Sequence, residues 1–324
     1  MKKFMNAVDT ILAESLDGFT AAHADIVSLG AGHQFVRRRE LKPGKVALIS
    51  GGGSGHEPLH AGFVGHGMLD AACPGQVFTS PTPDQMLAAM ADVDQGAGSL
   101  LIVKNYEGDV MNFEMAAEMA EAPVARVLVN DDIAVEDSLY TTGRRGVAGT
   151  LVVEKVVGAD AEAGLDLEAL KALGDSVNAA TRSLGVALTS CTVPAAGKSM
   201  FEIGDMEMEF GVGIHGEPGR RRDSLKSADE IAAAIARDIE VEAREALLFV
   251  NGFGGTPAME LYLMYNAARR ALETHGVTVV RSLVGSYVTS LDMAGCSITL
   301  SLLDETQLGY WDAPVHTPSL RWGT

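Results

Sequence analysis

Short apolar runs rich in β-branched residues alternate along this chain with segments of helical periodicity, and that alternation constrains the fold more than any other feature. Strand candidates span 45–50 (KVALIS), 99–103 (SLLIV), 125–129 (ARVLV), 185–189, 246–250, 278–283 and 297–302. Helical patterns cover 84–92, 112–121, 146–157, 167–184, 228–239 and 257–275. Strands separated by longer helices predict an α/β fold with parallel-rich sheets, in which ligands bind beyond the carboxyl ends of strands. A chain of 324 residues outgrows a single core, so two α/β domains are expected. A lull near 183–185 places the boundary there, giving domains 1–183 and 184–324 with a site drawing residues from both.

Charge and composition narrow the partners. Acidic side chains number 43 against 25 basic ones, a net charge of −18 that repels phosphate backbones and anionic lipid, so neither nucleic acid nor membrane is expected as a partner. Cys73, Cys191 and Cys296 are widely spaced and odd in number, which suits a reduced, cytoplasmic protein. Near the N-terminus, Phe4, Val8, Ile11, Leu12 and Leu16 follow an amphipathic helix rather than a signal peptide. Nowhere do the about 18 consecutive apolar residues of a membrane span occur.

Glycine-rich loops follow the strands, and there the chemistry is expected. Gly51–Gly52–Gly53–Ser54–Gly55 follows KVALIS, where glycine lets backbone N–H groups approach a ligand. It lacks the GK[ST] of a P-loop, so a polar small-molecule site fits better than a nucleotide site. His56-Glu57-Pro58-Leu59-His60 matches HExxH, but Pro58 favours a helix starting after His56, which would split the two histidines and spoil a zinc site. Lys104 and Asp109 follow the SLLIV strand; helix capping alone and capping with general-base catalysis suit Asp109 equally. His215 stands among Gly211, Gly213, Gly216 and Gly219, as expected for an imidazole that a ligand approaches closely, and neutral imidazole is a nucleophile toward a carbonyl carbon.

Taken in order, GGGSGHEP, CPGQVFTSPTPDQ, VKNYEGDVMNFEMA, DDIAVEDSLYTTGRRGVAGT, CTVPAAGK, EFGVGIHGEPG and WDAPVHTPSLRWG closely resemble the substrate-binding subunits of the dihydroxyacetone kinases from end to end. The resemblance implies a subunit that holds a short ketose as a hemiaminal on His215. It implies that Gly53, Ser54, Gly55 and His56 hold the substrate hydroxyls, with His56 also an acid/base partner. Lys104 would bind beside Asp109, and Asp109 would activate the terminal hydroxyl. A covalent bond to a ketone discriminates dihydroxyacetone from glycerol, which hydrogen bonds separate poorly. Tethering also fixes the reacting hydroxyl for transfer.

Among these loops Lys104 is the one evident cation for a transferring phosphoryl group, and no carboxylate cluster resembles a Mg²⁺ site, so no metal is expected on this chain. In the family the nucleotide, Mg-ADP or Mg-ATP, sits on a separate subunit or domain, in one branch recharged by a phosphotransferase-system protein. The resemblance thus implies no cofactor on this chain, a nucleotide-binding partner subunit and a homodimer. Two alternatives remain: a non-catalytic dihydroxyacetone sensor acting as a transcriptional coactivator, and a kinase subunit for another ketose such as erythrulose. Retention of His56 and Asp109 beside His215 favours catalysis, because sensing needs only the covalent hook.

Overall fold

The computed structural model describes residues 2–134, 143–217, 219–239 and 244–324. Positions 135–142 of the DDIAVEDSLYTTGRRGVAGT segment, Pro218 of GIHGEPG and residues 240–243 lie outside the described residues.

Two six-stranded sheets form the frame. The first is built from β1 (Val27–Leu29), β2 (Val36–Arg38), β3 (Ala47–Ser54), β4 (Ala71–Val77), β5 (Ser99–Lys104) and β6 (Val124–Val129), in the order β1-β2-β4-β3-β5-β6. Its helices are α1 (Ile11–Ala22), α2 (Pro83–Val93), α3 (Glu107–Met119), α4 (Gly149–Ala163) and α5 (Leu167–Ala179). The second sheet contains β7 (Thr181–Ala187), β8 (Glu207–Phe210), β9 (Arg221–Ser224), β10 (Glu245–Gly252), β11 (Thr278–Gly285) and β12 (Gly295–Ser301), in the order β11-β10-β12-β7-β8-β9. Helices α6 (Ala228–Asp238) and α7 (Ala258–Thr274) pack on it, and α8 (Glu305–Asp312) precedes a small hairpin of β13 (Val315–His316) and β14 (Arg321–Trp322). Among the described residues no helix is long and apolar enough to cross a membrane.

The α/β class and the two sheets agree with the sequence, but the expected parallel character holds only in the first. There β4, β3, β5 and β6 run parallel. In the second sheet only β10 and β11 do, and the other pairings are antiparallel. Parallel neighbours need a crossover of a dozen or more residues, usually helical. Residues 286–294 join β11 to β12 without a helix, so β12 turns back to pair antiparallel with β10.

Alternation within the first sheet's strands buries both faces. Ala47, Ile49, Leu101 and Val103 belong to the cluster under α2 and α3, while Leu48, Leu100 and Ile102 face the core around α4. Helix α4 has buried residues on every side from Gly149 to Ala161, because it packs against β5 and β6 of the first sheet and β7 and β12 of the second. Its start is held by Asp131, whose carboxylate accepts from the N–H groups of Val147 (2.8 Å) and Gly149 (2.7 Å). At its middle a side chain on Gly158 would fall 2.4 Å from the carbonyl oxygen of Gly67.

Three local expectations differ. The glycine run is strand rather than loop: β3 continues through Ser54, with Gly51, Gly52 and Gly53 paired to Cys73, Pro74 and Gly75. A Cβ there would meet Cys73 O at 2.5 Å, Lys104 Nζ at 2.2 Å or Thr79 N at 2.6 Å, so these glycines allow β3 to lie against its neighbours. No helix starts after His56 either, only a 3-10 turn at Ala61–Phe63. The C-terminal tail claims the backbone there, with Ser319 N–H donating to Gly62 O and His316 N–H to His66 O. Finally, the helix expected over 167–184 stops at Ala179 and β7 begins at Thr181, so position 183/184 falls inside that strand. Thr181 and Ser183 look polar in sequence, yet their hydroxyls pair across the sheet with Ser301 (2.9 Å) and Thr299 (2.7 Å).

Asp131→Ala removes the acceptor of two buried N–H groups at the head of the central helix and should destabilise the protein by about 3 kcal/mol in urea unfolding. A loss below about 0.5 kcal/mol would show that α4 does not depend on this cap.

Candidate active site

The carboxyl ends of β3 and β5 open into a cavity of about 470 Å³. The first sheet contributes Gly53, Phe78, Ser80, Tyr106, Glu107, Gly108 and Asp109, and the second contributes His215, Gly216 and Glu217 from the loop after β8, with Met200 beside them. His215 sits at the centre of an aromatic cage. The rings of Tyr106, His56 and Phe78 lie edge-on to it, with centroids 4.3, 4.6 and 5.3 Å away, and Phe78 stacks on His56 at 5.1 Å.

Glu217 orients the central imidazole. Its Oε2 accepts from the backbone N–H of His215 at 2.9 Å, and its Oε1 lies 3.2 Å from Nδ1 of the ring. The carboxylate cannot donate, so Nδ1 carries a proton, and in the neutral ring the lone pair lies on Nε2. Burial works to raise the Glu217 carboxyl. The hydrogen bond and charge of His215, with the Arg145 guanidinium, outweigh it and hold the group at about 2. Gly213 makes room for this arrangement, since a Cβ there would fall 2.2 Å from Glu217 Oε2 and 2.6 Å from the Arg145 guanidinium.

His56 is fully buried and donates from Nδ1 to Thr289 O at 2.7 Å, leaving its buried Nε2 without a partner. Burial, then the charges of His215 and Lys104, depress its pKa well below the usual histidine value, so it is a neutral acceptor. Asp109 lies in the first turn of α3, where Tyr106 occupies the cap position and no side-chain cap bond forms. Its Oδ2 faces Lys104 Nζ at 3.6 Å, and its Oδ1 is buried without a partner. Capping is therefore not its role. Lys104, with no exposed surface, donates to Gly51 O (3.2 Å) and to His60 Nε2 (2.8 Å).

A match to the Dak1 domain model covers residues 17–319. The chain belongs to the Dak1 domain family. Within that family it is 52% identical, over 98% of its length and 99% of the relative's, to the PTS-dependent dihydroxyacetone kinase 1 dihydroxyacetone-binding subunit of Listeria innocua. Two solved structures share the fold of this Dak1 chain at 34% identity and a TM-score of 0.89. One is the dihydroxyacetone kinase operon co-activator Dha-DhaQ, covering 94% of this chain and 97% of that one. The other is the C. freundii dihydroxyacetone kinase in complex with AMP-PNP and Mg²⁺, covering 99% of this chain and 61% of that longer one. The resemblance read from the motifs is borne out along the chain, and the relatives named as kinases are phosphotransferases.

The residues singled out in the sequence do not all meet at the Dak1 cavity. His215, Asp109 and Gly53 do, and His56 packs edge-on against the His215 ring without lining the cavity itself. Lys104 lies behind Asp109. Gly55, at φ 105°, turns the chain and donates its N–H to the Glu57 carboxylate. Ser54 points its hydroxyl at Gly75 O (2.7 Å) and lines a separate cavity of about 370 Å³ beneath α1. The HExxH histidines part company: His56 joins the cage, while His60 bonds to Lys104, Ser50 and Glu154. Among the described residues no group of three or more His, Cys, Asp or Glu stands together as a metal cluster.

Sequence reasoning passed over Tyr106, Phe78 and Glu217, although all three lie inside segments it quoted. Tyr106 carries a buried hydroxyl without a partner, and Phe78 takes an unusual φ of 54° for a bulky residue. The available signal was adjacency. Tyr106 stands between Lys104 and Asp109 and Glu217 follows Gly216, whereas Phe78 had only its place in CPGQVFTSPTPDQ.

Because the Glu217 carboxyl is depressed in the folded state, it contributes stability at pH values above its ordinary 4.5 that is lost as pH falls toward 2. Urea unfolding at stepped pH should show the native chain losing about 3 kcal/mol more than Glu217→Gln across that window. Parallel pH profiles for the two proteins would contradict this electrostatic account.

Proposed function

We propose that the chain binds dihydroxyacetone covalently on His215 and presents its hydroxyl for phosphorylation by a nucleotide carried on a separate subunit. The observation that carries this reading is the grouping of two buried acceptors without partners about one imidazole: Asp109 Oδ1 belongs to a residue lining the same cavity as His215, and His56 Nε2 to a ring packed edge-on against the His215 ring. Buried polar atoms are ordinarily paired, and two orphans flanking a nucleophile mark places where a ligand supplies the missing hydrogens. A three-carbon ketone with a hydroxyl at each end has that complement. The name of the Listeria relative supports the choice of ketose and a phosphotransferase-system donor.

In the reaction we infer, the neutral ring's Nε2 lone pair adds to the ketone carbon and the carbonyl π electrons move to oxygen, which takes up a proton from solvent water. The positive charge left on the ring is balanced by Glu217, to which Nδ1–H donates. His56 Nε2 accepts from a substrate hydroxyl; depressed basicity and donation to Thr289 suit it to that role rather than to acid catalysis. The terminal hydroxyl attacks the donor phosphorus, its proton passes to Asp109 Oδ1, and the P–O bond to the donor breaks. Lys104 supplies positive charge behind Asp109. The nucleotide and its Mg²⁺ belong to the partner subunit.

The co-activator relative keeps a second reading open to test, a ketose sensor without catalysis. The unpartnered oxygen of Asp109 favours transfer, because holding the ketone requires only His215.

A dihydroxyacetone-soaked crystal should show continuous density between His215 Nε2 and the ketone carbon, and His215→Asn should abolish it. Asp109→Asn should keep that adduct while lowering kcat at least about 100-fold in the presence of the nucleotide subunit and its phosphoryl donor. A ketose lying unbonded in the cavity would overturn the covalent step. Adduct formation without any phosphate ester from the intact complex would favour the sensor.

A further inference from the structure

Behind Asp109 a hydrogen-bonded chain runs into the core, from Lys104 through His60 to Glu154 on α4, and the proposed function leaves its inner members without a task. Glu154 has no exposed surface, and neither it nor His60 is among the residues lining the ketose cavity. The contacts nevertheless dictate one another.

An ammonium has three protons and no lone pair, so the 2.8 Å contact between Lys104 Nζ and His60 Nε2 requires a lone pair on that nitrogen. Burial, then the charge of Lys104, depresses the His60 pKa well below its usual value, and the ring is neutral. Its one proton therefore sits on Nδ1, 2.7 Å from Glu154 Oε1 and 3.0 Å from Ser50 Oγ. Ser50 spends its own proton on Ile102 O, at 2.7 Å. Glu154 Oε1 is thus the shorter of two acceptors that keep the Nδ1–H tautomer. Burial pushes the Glu154 carboxyl up to about 8, and its Oε2 is buried without a partner. A proton held on Oε2 leaves Oε1 an acceptor in either state.

Without that acceptor only the longer contact to Ser50 Oγ would hold the proton on Nδ1, and the imidazole could carry it on Nε2 and aim an N–H at the ammonium. Lys104 would then withdraw from the position that holds it 3.6 Å from Asp109 Oδ2.

We infer that Glu154 is a positioning residue: by fixing the tautomer of His60 it holds Lys104 against Oδ2 of Asp109 and leaves Oδ1 free for the substrate hydroxyl. The part played by Asp109 rests on the proposed function; the tautomer does not. The logic is that of an outer carboxylate orienting an inner histidine, with an ammonium in place of a metal.

The experiment uses the full-length chain with ¹⁵N-labelled histidine, alongside turnover in the complete complex. In the native protein His60 should show protonated Nδ1 and unprotonated Nε2. Glu154→Leu should move the proton and lower kcat by about 10- to 100-fold with the ketose KM changed less than about twofold. Glu154→Gln keeps a carbonyl acceptor and should restore the native tautomer and a rate within about threefold of native. His60 protonated on Nε2 in the native chain would overturn the inference, even if the leucine variant failed to fold. Native turnover by Glu154→Leu would overturn it as well. If the native complex makes no phosphate ester, the functional reading fails by itself, and the ¹⁵N spectrum still decides the tautomer.

Discussion

Two adjacent aspartates after β6 hold the two sheets to one another, and the site exists because they do. Asp131 uses its carboxylate on the start of α4 and on the Ser183 hydroxyl of β7, while its carbonyl accepts from Ser183 N–H at 2.8 Å. Asp132 pairs with the buried Arg145 at 2.7 Å, and Arg145 donates to Gly211 O at 2.8 Å at the head of the loop that carries His215. Burial raises Asp132 to about 6 against the pull of Arg145, the signature of an ion pair removed from water. Such a pair adds little net stability, but losing one partner strands the other charge, so its geometry is enforced. In this protein that enforcement sets where the second sheet's histidine meets the first sheet's carboxylate.

From that junction the electrostatics of the site follow. His56 and Asp109 are buried and His215 is partly so, and each of the three is committed on one side and open on the other. His215 is tied through Nδ1 to Glu217, His56 through Nδ1 to Thr289, and Asp109 through Oδ2 to Lys104. The atoms left over are Nε2, Nε2 and Oδ1, two of them buried with no partner. Preorganisation of this kind places the cost of orienting the groups in folding rather than in the reaction.

Much of this could be read from the residues in order. The spacing of KVALIS, SLLIV and ARVLV showed a parallel arrangement for the first sheet, and glycines bracketing His215 marked a place of close approach. Less legible was the second sheet, where Thr181 and Ser183 hide a buried strand behind polar side chains that pair across the sheet with β12. The GGGS run reads equally as a ligand loop or as a strand crowded by its neighbours. Only the contacts of Gly52 with Lys104 and of Gly51 with Cys73 distinguish them.

The sequence by itself determined the family and the α/β class and singled out His56, Asp109 and His215 as candidates, because motif order and hydrophobic period are properties of the linear chain. Tertiary structure decided what each of those groups can do. His56 and His60 share a motif four residues apart in sequence, yet one faces the cage and the other faces Glu154. Whether Asp109 caps a helix or leaves an oxygen free likewise depends on Lys104 and on where α3 begins. Protonation, tautomer and unmet hydrogen-bonding capacity are set by burial and by partners distant along the chain, which local pattern does not carry.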